Sequence, residues 1–294
     1  MLGVAVLLAA QVLTGFRAAV LGVVQGLTEF IPVSSSAHLV LVPFLAGWPA
    51  PSFSFDVAVH FGTALGVVAY FARDLLRLLA GGVRWLIGSR DAEATAQARM
   101  IGLLALGSVP AAVAGFLLED AFHRYFGTSE GVEDVGAPVS AAFLFGTAAL
   151  LLAAERTIGR RPTDRPGRGI EDLTPIDALM VGVFQAFAIA PGISRSGSTI
   201  SAAVFRGLSR EAAARFSFLL SLPAILGAGI LSLPDLPPGS DLGLVTLGVA
   251  TAAVSGFLAI AFLLRYLRTR TMRPFAAYCV LFGAVSLAFW SQVR

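Results

Sequence analysis

The chain is predicted to be an all-α polytopic integral membrane protein, with six transmembrane helices plus two re-entrant helix-break-helix segments arranged as an inverted-topology repeat. Three observations lead there. Hydrophobic residues make up 56% of the 294 and charged residues only 13%, where a soluble domain carries about 25% charged; the mean hydropathy is +0.81. Apolar runs of membrane-crossing length recur from end to end, and no soluble domain fits between them. Two further apolar segments are each interrupted by a proline followed by serines, the pattern of a helix that breaks inside the membrane.

Taken in order, the run Val4 to Leu13 lacks a basic flank and flows into further apolar sequence, so it reads as part of the mature chain and not as a signal peptide. The first interrupted segment is about Ala18 to Gly47, broken at Pro32. Spans follow at about Phe55 to Phe71, Met100 to Leu118 and Val139 to Ala154. The second interrupted segment, about Ile176 to Phe205, breaks at Pro191. Spans at about Phe216 to Leu233, Leu242 to Leu264 and Phe275 to Trp290 complete the set.

Sidedness follows from the arginines, which are all of the 21 basic residues. The connections Arg73 to Arg99, Arg156 to Arg168, Arg206 to Arg215 and Arg265 to Arg273 carry five, five, three and four of them. These should be cytoplasmic by the positive-inside rule. The segment Glu119 to Pro138 sets five acids against Arg124 alone, and the turn around Asp235 and Asp241 has no arginine, so both should face outward. On these sides each interrupted segment must enter and leave on one face, the first from outside and the second from the cytoplasm. Arginines gathered in loops also explain the net charge of +3 without nucleic acid as a partner. Cys279, alone in the last apolar run, reads as a small buried hydrophobe.

Gly22, Gln25, Ser34 and Ser36 recur as Gly182, Gln185, Ser194 and Ser196 at a constant offset of 160. That suggests one membrane domain over 1–294, with repeat 1 at about 18–156 and repeat 2 at about 174–292. Half-helices of opposite topology meeting near the midplane place a site at their junction. A chance match of four residues is the competing explanation.

The first break carries Gln25, Glu29, Ser34, Ser35, Ser36 and His38 inside apolar sequence. An ionisable residue at that depth costs roughly 2.5–3.5 kcal/mol, so such groups mark a site. Gln25 and Glu29, at i and i+4, share one helix face. They can glue helices together, or Glu29 can serve as a cation ligand or a partner for His38; Gln25 adds only a neutral oxygen, so a metal site there would need substrate phosphates to complete it. One serine can cap the restarted helix while another sits beside the imidazole, and hydroxyl, base and carboxylate are the parts of an activated nucleophile. The alternative is capping serines with a histidine bonded to a backbone carbonyl.

The second break, Pro191-Gly192-Ile193-Ser194-Arg195-Ser196-Gly197-Ser198-Thr199, offers glycines, successive amides at a helix start and a forked guanidinium, which together suit phosphate. Arg195 can instead neutralise Glu29 as a buried pair that a substrate displaces. Asp56 and His60, another i, i+4 pair, either extend the polar wall or solvate a helix end. Asp177 behind Thr174-Pro175 suits a capping role.

Both motifs, Gln25-Gly26-Leu27-Thr28-Glu29-Phe30-Ile31-Pro32-Val33-Ser34-Ser35 followed by His38, and Pro191 to Thr199, resemble those of the undecaprenyl-diphosphate phosphatases of the bacitracin-resistance type. The similarity extends through Phe55-Asp56-Val57 and through Arg215-Phe216-Ser217-Phe218-Leu219-Leu220. The resemblance implies a multi-pass enzyme of the bacterial inner membrane whose active site opens to the outer side. Such an enzyme removes the terminal phosphate of undecaprenyl diphosphate, recycling undecaprenyl phosphate for cell-wall precursors and conferring bacitracin resistance. It implies a divalent cation, Mg²⁺ or Ca²⁺, held by Glu29 and Gln25, a polyprenyl diphosphate substrate, and it allows a homodimer. Carried over residue by residue, Gln25 and Glu29 fall on the family's acidic motif, Ser34, Ser35, Ser36 and His38 on its Ser/His cluster, and Ser194, Arg195, Ser196 and Thr199 on its phosphate loop; the reading that follows has Ser35 as the nucleophile, His38 as its base and later acid, Glu29 as the orienter or metal ligand, and Arg195 as the phosphoryl clamp. Gln25, Ser34, Ser36, Ser194, Ser196 and Thr199 line the substrate. The motifs equally allow a metal-held water as the attacking group. The chain departs in having Gln25 where many members carry Glu, Ser36-Ala37 where Thr-Gly is frequent and His60 where Gln is common. The rival class is a transporter or flippase for a polyprenyl phosphate or other anion, since broken helices in inverted repeats also build transporters.

Overall fold

Backbone groups left open in hydrocarbon are costly, so an apolar chain of this composition must satisfy them within helices. The computed structural model describes residues 13–126, 136–160, 167–231 and 241–293, and among these it has eleven helices and one isolated bridge, Arg168 to Leu208. Helix α1 is Gly15–Phe30, α2 Ser35–Ala46, α3 Phe53–Tyr70, α4 Ala72–Leu86, α5 Ala92–Phe126 and α6 Ala137–Gly159. Then come α7 Pro175–Phe187, α8 Arg195–Phe205, α9 Arg210–Leu231, α10 Leu242–Leu267 and α11 Arg273–Val293. The starts carry side-chain caps: Thr14, Ser34, Ser52, Ser194 and Asp241 each accept a first-turn amide. Thr174 and Asp177 close a full capping box on α7, as expected for Asp177.

Among the described residues five helices are long and apolar enough to cross a bilayer: α3, α5 over Ala92–Leu117, α6, α10 and α11. They coincide with five of the six expected spans. The sixth falls on α9, which opens on Arg210, Glu211 and Arg215. The N-terminal run up to residue 12, residues 127–135 of the acidic segment, the turn at Asp235 and part of the connection after Arg160 lie outside the described residues. The connection from Arg73 to Arg99 is not a loop: it folds as α4, whose glycines Gly81 and Gly82 lie against α5 while Leu76, Leu79, Val83 and Leu86 stay exposed.

Each interrupted segment is a pair of short helices, α1 with α2 and α7 with α8. Their packing is reciprocal: α1 lies along α10 and α7 along α5, α3 meets α10 and α9 meets α5, and α6 pairs with α11. The recurring glycines explain the closeness of the first two crossings. A Cβ on Gly22 would stand 2.4 Å from the Gly248 carbonyl oxygen, and one on Gly182 would stand 2.2 Å from that of Gly107. Cys279 is fully buried, as expected, with its Sγ 3.9 Å from the Pro32 carbonyl oxygen.

All four arginine-rich connections meet at one end of the bundle. Arg215 reaches Asp74 at 2.6 Å, Arg99 donates to the carbonyls of Glu171 and Leu173, and Arg268 reaches Glu211 at 2.9 Å. Buried Asp177 takes Arg168 and Arg206, each at 2.7 Å. Buried Glu155 takes the Arg210 fork at 2.7 and 2.6 Å and the Met272 amide at 2.9 Å. On the exposed turn before α5, the Ala94 amide first and then the Ser89 hydroxyl hold the Asp91 carboxyl below the ordinary carboxylate range.

Candidate active site

Helix α1 stops at Phe30 because Pro32 removes a donor and restricts Ile31 to extended backbone, found at φ −62°, ψ 130°. The chain then turns through Ser34 at φ 71°, ψ 98°, which is the one non-glycine residue with positive φ among the described residues. Such a conformation costs on the order of 1–3 kcal/mol and persists only where its surroundings hold it. Here the Ser34 carbonyl accepts the His38 ring Nδ1–H at 2.7 Å and the His38 amide at 3.3 Å.

The turn brings Ser35 back over the last turn of α1, onto Glu29. The Ser35 hydroxyl donates to Glu29 Oε2 at 2.5 Å, and the Gln25 amide donates to the same oxygen at 2.9 Å. The other carboxylate oxygen, Oε1, takes Arg195 Nη2 at 2.6 Å across the junction of the two broken segments. Gln25, Glu29, Ser35 and Arg195 therefore form one cluster around a carboxylate that is 7% exposed. The buried-pair alternative for Arg195 is realised, and it leaves the guanidinium at the site.

The second break is fixed from α6. Thr147 Oγ accepts the Ser194 amide at 2.9 Å and donates to the Gly192 carbonyl at 3.0 Å. Gly192 sits at φ 100°, and a Cβ there would stand 2.4 Å from the Ser140 carbonyl oxygen, so only glycine fits. The Gly192 amide donates to Ser36 Oγ at 3.4 Å, tying one break to the other. Ser34 with Ser36 and Ser194 with Ser196 repeat one geometry, each hydroxyl pair 3.2 Å apart. Thr199 turns away from the loop: its hydroxyl meets Ser217 Oγ at 2.6 Å and the Arg195 carbonyl at 2.8 Å, and Ser217 in turn offers its carbonyl to Arg195 Nη1 at 3.4 Å.

The expected Ser35–His38 pairing is not formed. Both ring nitrogens of His38 are engaged elsewhere, Nδ1 by the Ser34 carbonyl and Nε2 by Tyr278 Oη at 2.7 Å. The ring is stacked on Phe282 at 4.6 Å between centroids. A proton acceptor for Ser35 is present, but it is Glu29. A different imidazole approaches that carboxylate, that of His60, whose Nε2 lies 3.7 Å from Glu29 Oε2 while its Nδ1–H donates to the Asp56 carbonyl at 2.7 Å. His60 thus extends the polar wall, and Asp56 holds its ring through the backbone carbonyl. Thr147, Ser217 and Tyr278 were not singled out from sequence; Thr147 and Ser217 are polar residues in apolar runs, a signal that was there to read.

The cluster does not make a metal cage by itself. Both oxygens of Glu29 are taken by Arg195, Ser35 and Gln25, and no group of three or more His, Cys, Asp or Glu stands together among the described residues. Gln25 Oε1 is buried without a partner there, a single neutral acceptor.

Known proteins are similar to this chain over nearly all of its length. The Thermomicrobium roseum protein named undecaprenyl-diphosphatase is 44% identical over 283 residues, covering 95% of this chain and 99% of its own. That of Geobacter sulfurreducens is 42% identical over 278 residues, covering 93% and 97%, and that of Moorella thermoacetica 41% over 279, covering 95% and 99%. The family model described as "Bacitracin resistance protein BacA" matches residues 18–285, a stretch that holds both broken segments and every residue of the carboxylate cluster, so this chain belongs to the BacA family.

Proposed function

We propose that the chain removes the terminal phosphate of undecaprenyl diphosphate, giving undecaprenyl phosphate and inorganic phosphate, and so recycles the lipid carrier and supports bacitracin resistance. The relatives' name and their near full-length similarity support the reaction. The observation that carries the chemistry is the Glu29 carboxylate, with Ser35 on one oxygen and Arg195 on the other.

In the substrate-free site the guanidinium neutralises Glu29, which keeps the carboxylate a poor base. A diphosphate entering the junction competes for the same fork, and Arg is suited to bind phosphate bidentately. Transfer of Arg195 to phosphate frees Glu29 to accept the Ser35 proton. Ser35 Oγ then forms a bond to the terminal phosphorus, the bridging P–O bond breaks, and undecaprenyl phosphate departs with the bond's electron pair. In the second step water attacks the phosphoserine, Ser35 Oγ leaves and recovers its proton from Glu29, and the protons of water stay with the released phosphate. Arg195 with the Ser194 to Ser196 loop stabilises the charge on the equatorial oxygens throughout, which is the main demand of phosphoryl transfer.

Glu29 and Gln25 would hold a divalent cation only together with phosphate oxygens, and the ion would supply further stabilisation of phosphoryl charge. The two broken segments form inverted-topology repeats, and the arginine-rich end of the bundle is cytoplasmic, so the site opens to the outer face of the inner membrane. The test is inorganic phosphate released from undecaprenyl diphosphate by the purified protein. Protein that binds the lipid and releases no phosphate would belong to the carrier class instead.

A further inference from the structure

Ser34 is a residue with a side chain in a conformation that glycine usually fills, at φ 71°, and its carbonyl is bonded to the His38 ring, which Tyr278 holds in turn. From the geometry we infer that His38 is a positioning residue and not a proton carrier: together with Tyr278 it forms a clamp that keeps Ser34 in its left-handed turn, and thereby sets the following hydroxyl, Ser35, on Glu29.

The bonding pattern assigns the ring. A carbonyl oxygen can only accept, so the His38 nitrogen at 2.7 Å from the Ser34 carbonyl is an N–H donor. In the neutral ring Nε2 is then the acceptor, and it takes the Tyr278 hydroxyl at 2.7 Å. His38 is 3% exposed and lies in a stack with Tyr278 and Phe282, its plane within 9° and 13° of theirs. Phe282 and Tyr278 both come from α11, one turn apart, so the last helix of the chain fixes the ring that fixes the turn. Neither ring nitrogen has a lone pair or proton to offer Ser35, whose hydroxyl is already on Glu29 at 2.5 Å. The clamp acts one residue before the nucleophile, where a change in ψ swings the next side chain off the carboxylate.

The inference rests on the phosphatase reading for its activity readout and has a second readout that does not. The side-chain amide of Asn stands where Nδ1 of His stands and can donate to the Ser34 carbonyl, yet it cannot take up a proton. His38→Asn is therefore expected to keep kcat/KM for phosphate release within about tenfold of wild type, while His38→Ala loses about a hundredfold or more. A folded His38→Asn enzyme as inactive as His38→Ala overturns the inference. The second measurement is a double-mutant cycle with Ser34→Gly, because glycine adopts φ 71° without a clamp. The fall in thermal midpoint caused by His38→Ala should be clearly smaller in the Ser34→Gly background than in the wild-type one. Additive shifts overturn the clamp even if the wild-type protein shows no phosphatase activity, and that last result alone would count against the phosphatase reading and not against the clamp.

Discussion

Replacing Glu29 by glutamine separates chemistry from folding. The substitution keeps shape and removes charge at a group that holds Arg195 at 2.6 Å and Ser35 at 2.5 Å. Hydrogen bonds to a charged partner contribute roughly 1.5–3 kcal/mol and neutral ones roughly 0.5–1.5, so weakening two of them costs about 2 kcal/mol of stability. The new amide N–H₂ group needs an acceptor, and one is at hand: Gln25 Oε1 is buried without a partner and can turn toward residue 29 by flipping its amide. The protein should therefore fold. The rate is a different matter, because losing a general base costs about 10²- to 10⁴-fold, or roughly 2.7–5.5 kcal/mol of barrier. Competition for the guanidinium adds a second expectation. With Glu29 neutral, Arg195 is released to the phosphate, so KM should stay level or fall while kcat collapses. The assay is phosphate release under steady-state conditions beside thermal unfolding in the same detergent. A Glu29→Gln enzyme with kcat within tenfold of wild type, or one whose KM rises in step with the loss of rate, would refute the idea that substrate displaces the ion pair to free a base.

Ser35→Ala should lose several orders of magnitude in kcat, whereas Ser36→Ala, which weakens the link to the Gly192 amide, should lose about 1 kcal/mol; rapid quench of wild type should yield phosphoserine at residue 35. Arg195→Lys should lower kcat and raise KM together, since a point charge cannot reproduce the fork, and steady-state kinetics on the folded variant will show it. Glu155→Ala leaves the partly buried Arg210 and the buried Met272 amide without their carboxylate at the arginine-rich end and should cost about 3 kcal/mol in unfolding experiments, with unchanged kcat/KM in the fraction that folds. Excess chelator should leave the thermal midpoint of the substrate-free protein unchanged, because among the described residues its acids make no cage of their own.

What could be read in advance follows the physics of the solvent. A bilayer imposes length and polarity on every span, so α3, α5, α6, α10 and α11 were visible as apolar runs. Helix α4 was not, because it mixes Arg73, Arg77 and Arg84 with leucines and only the angular spacing of these residues distinguishes it from a charged loop. Of the four residues that recur at an offset of 160, the glycine pair marks two close helix crossings.

At the site, residue types were legible and orientations were not. Gln25, Glu29, Ser35 and Arg195 stood out because polar groups are expensive in apolar sequence, and those four do converge. His38 stood out for the same reason, yet its partner is decided by a side-chain torsion and by a tyrosine 240 residues away, neither of which sequence spacing reveals. The turn at Ser34 carried no warning either, since a glycine there would have announced positive φ and a serine does not. Serine at that position makes sense only with its hydroxyl counted: it caps α2 and pairs with Ser36, which reaches Gly192 in the other break. Glycine would relax the turn and sever that connection, so the strain at Ser34 and the clamp at His38 belong together as the means of keeping a hydroxyl where two broken helices meet.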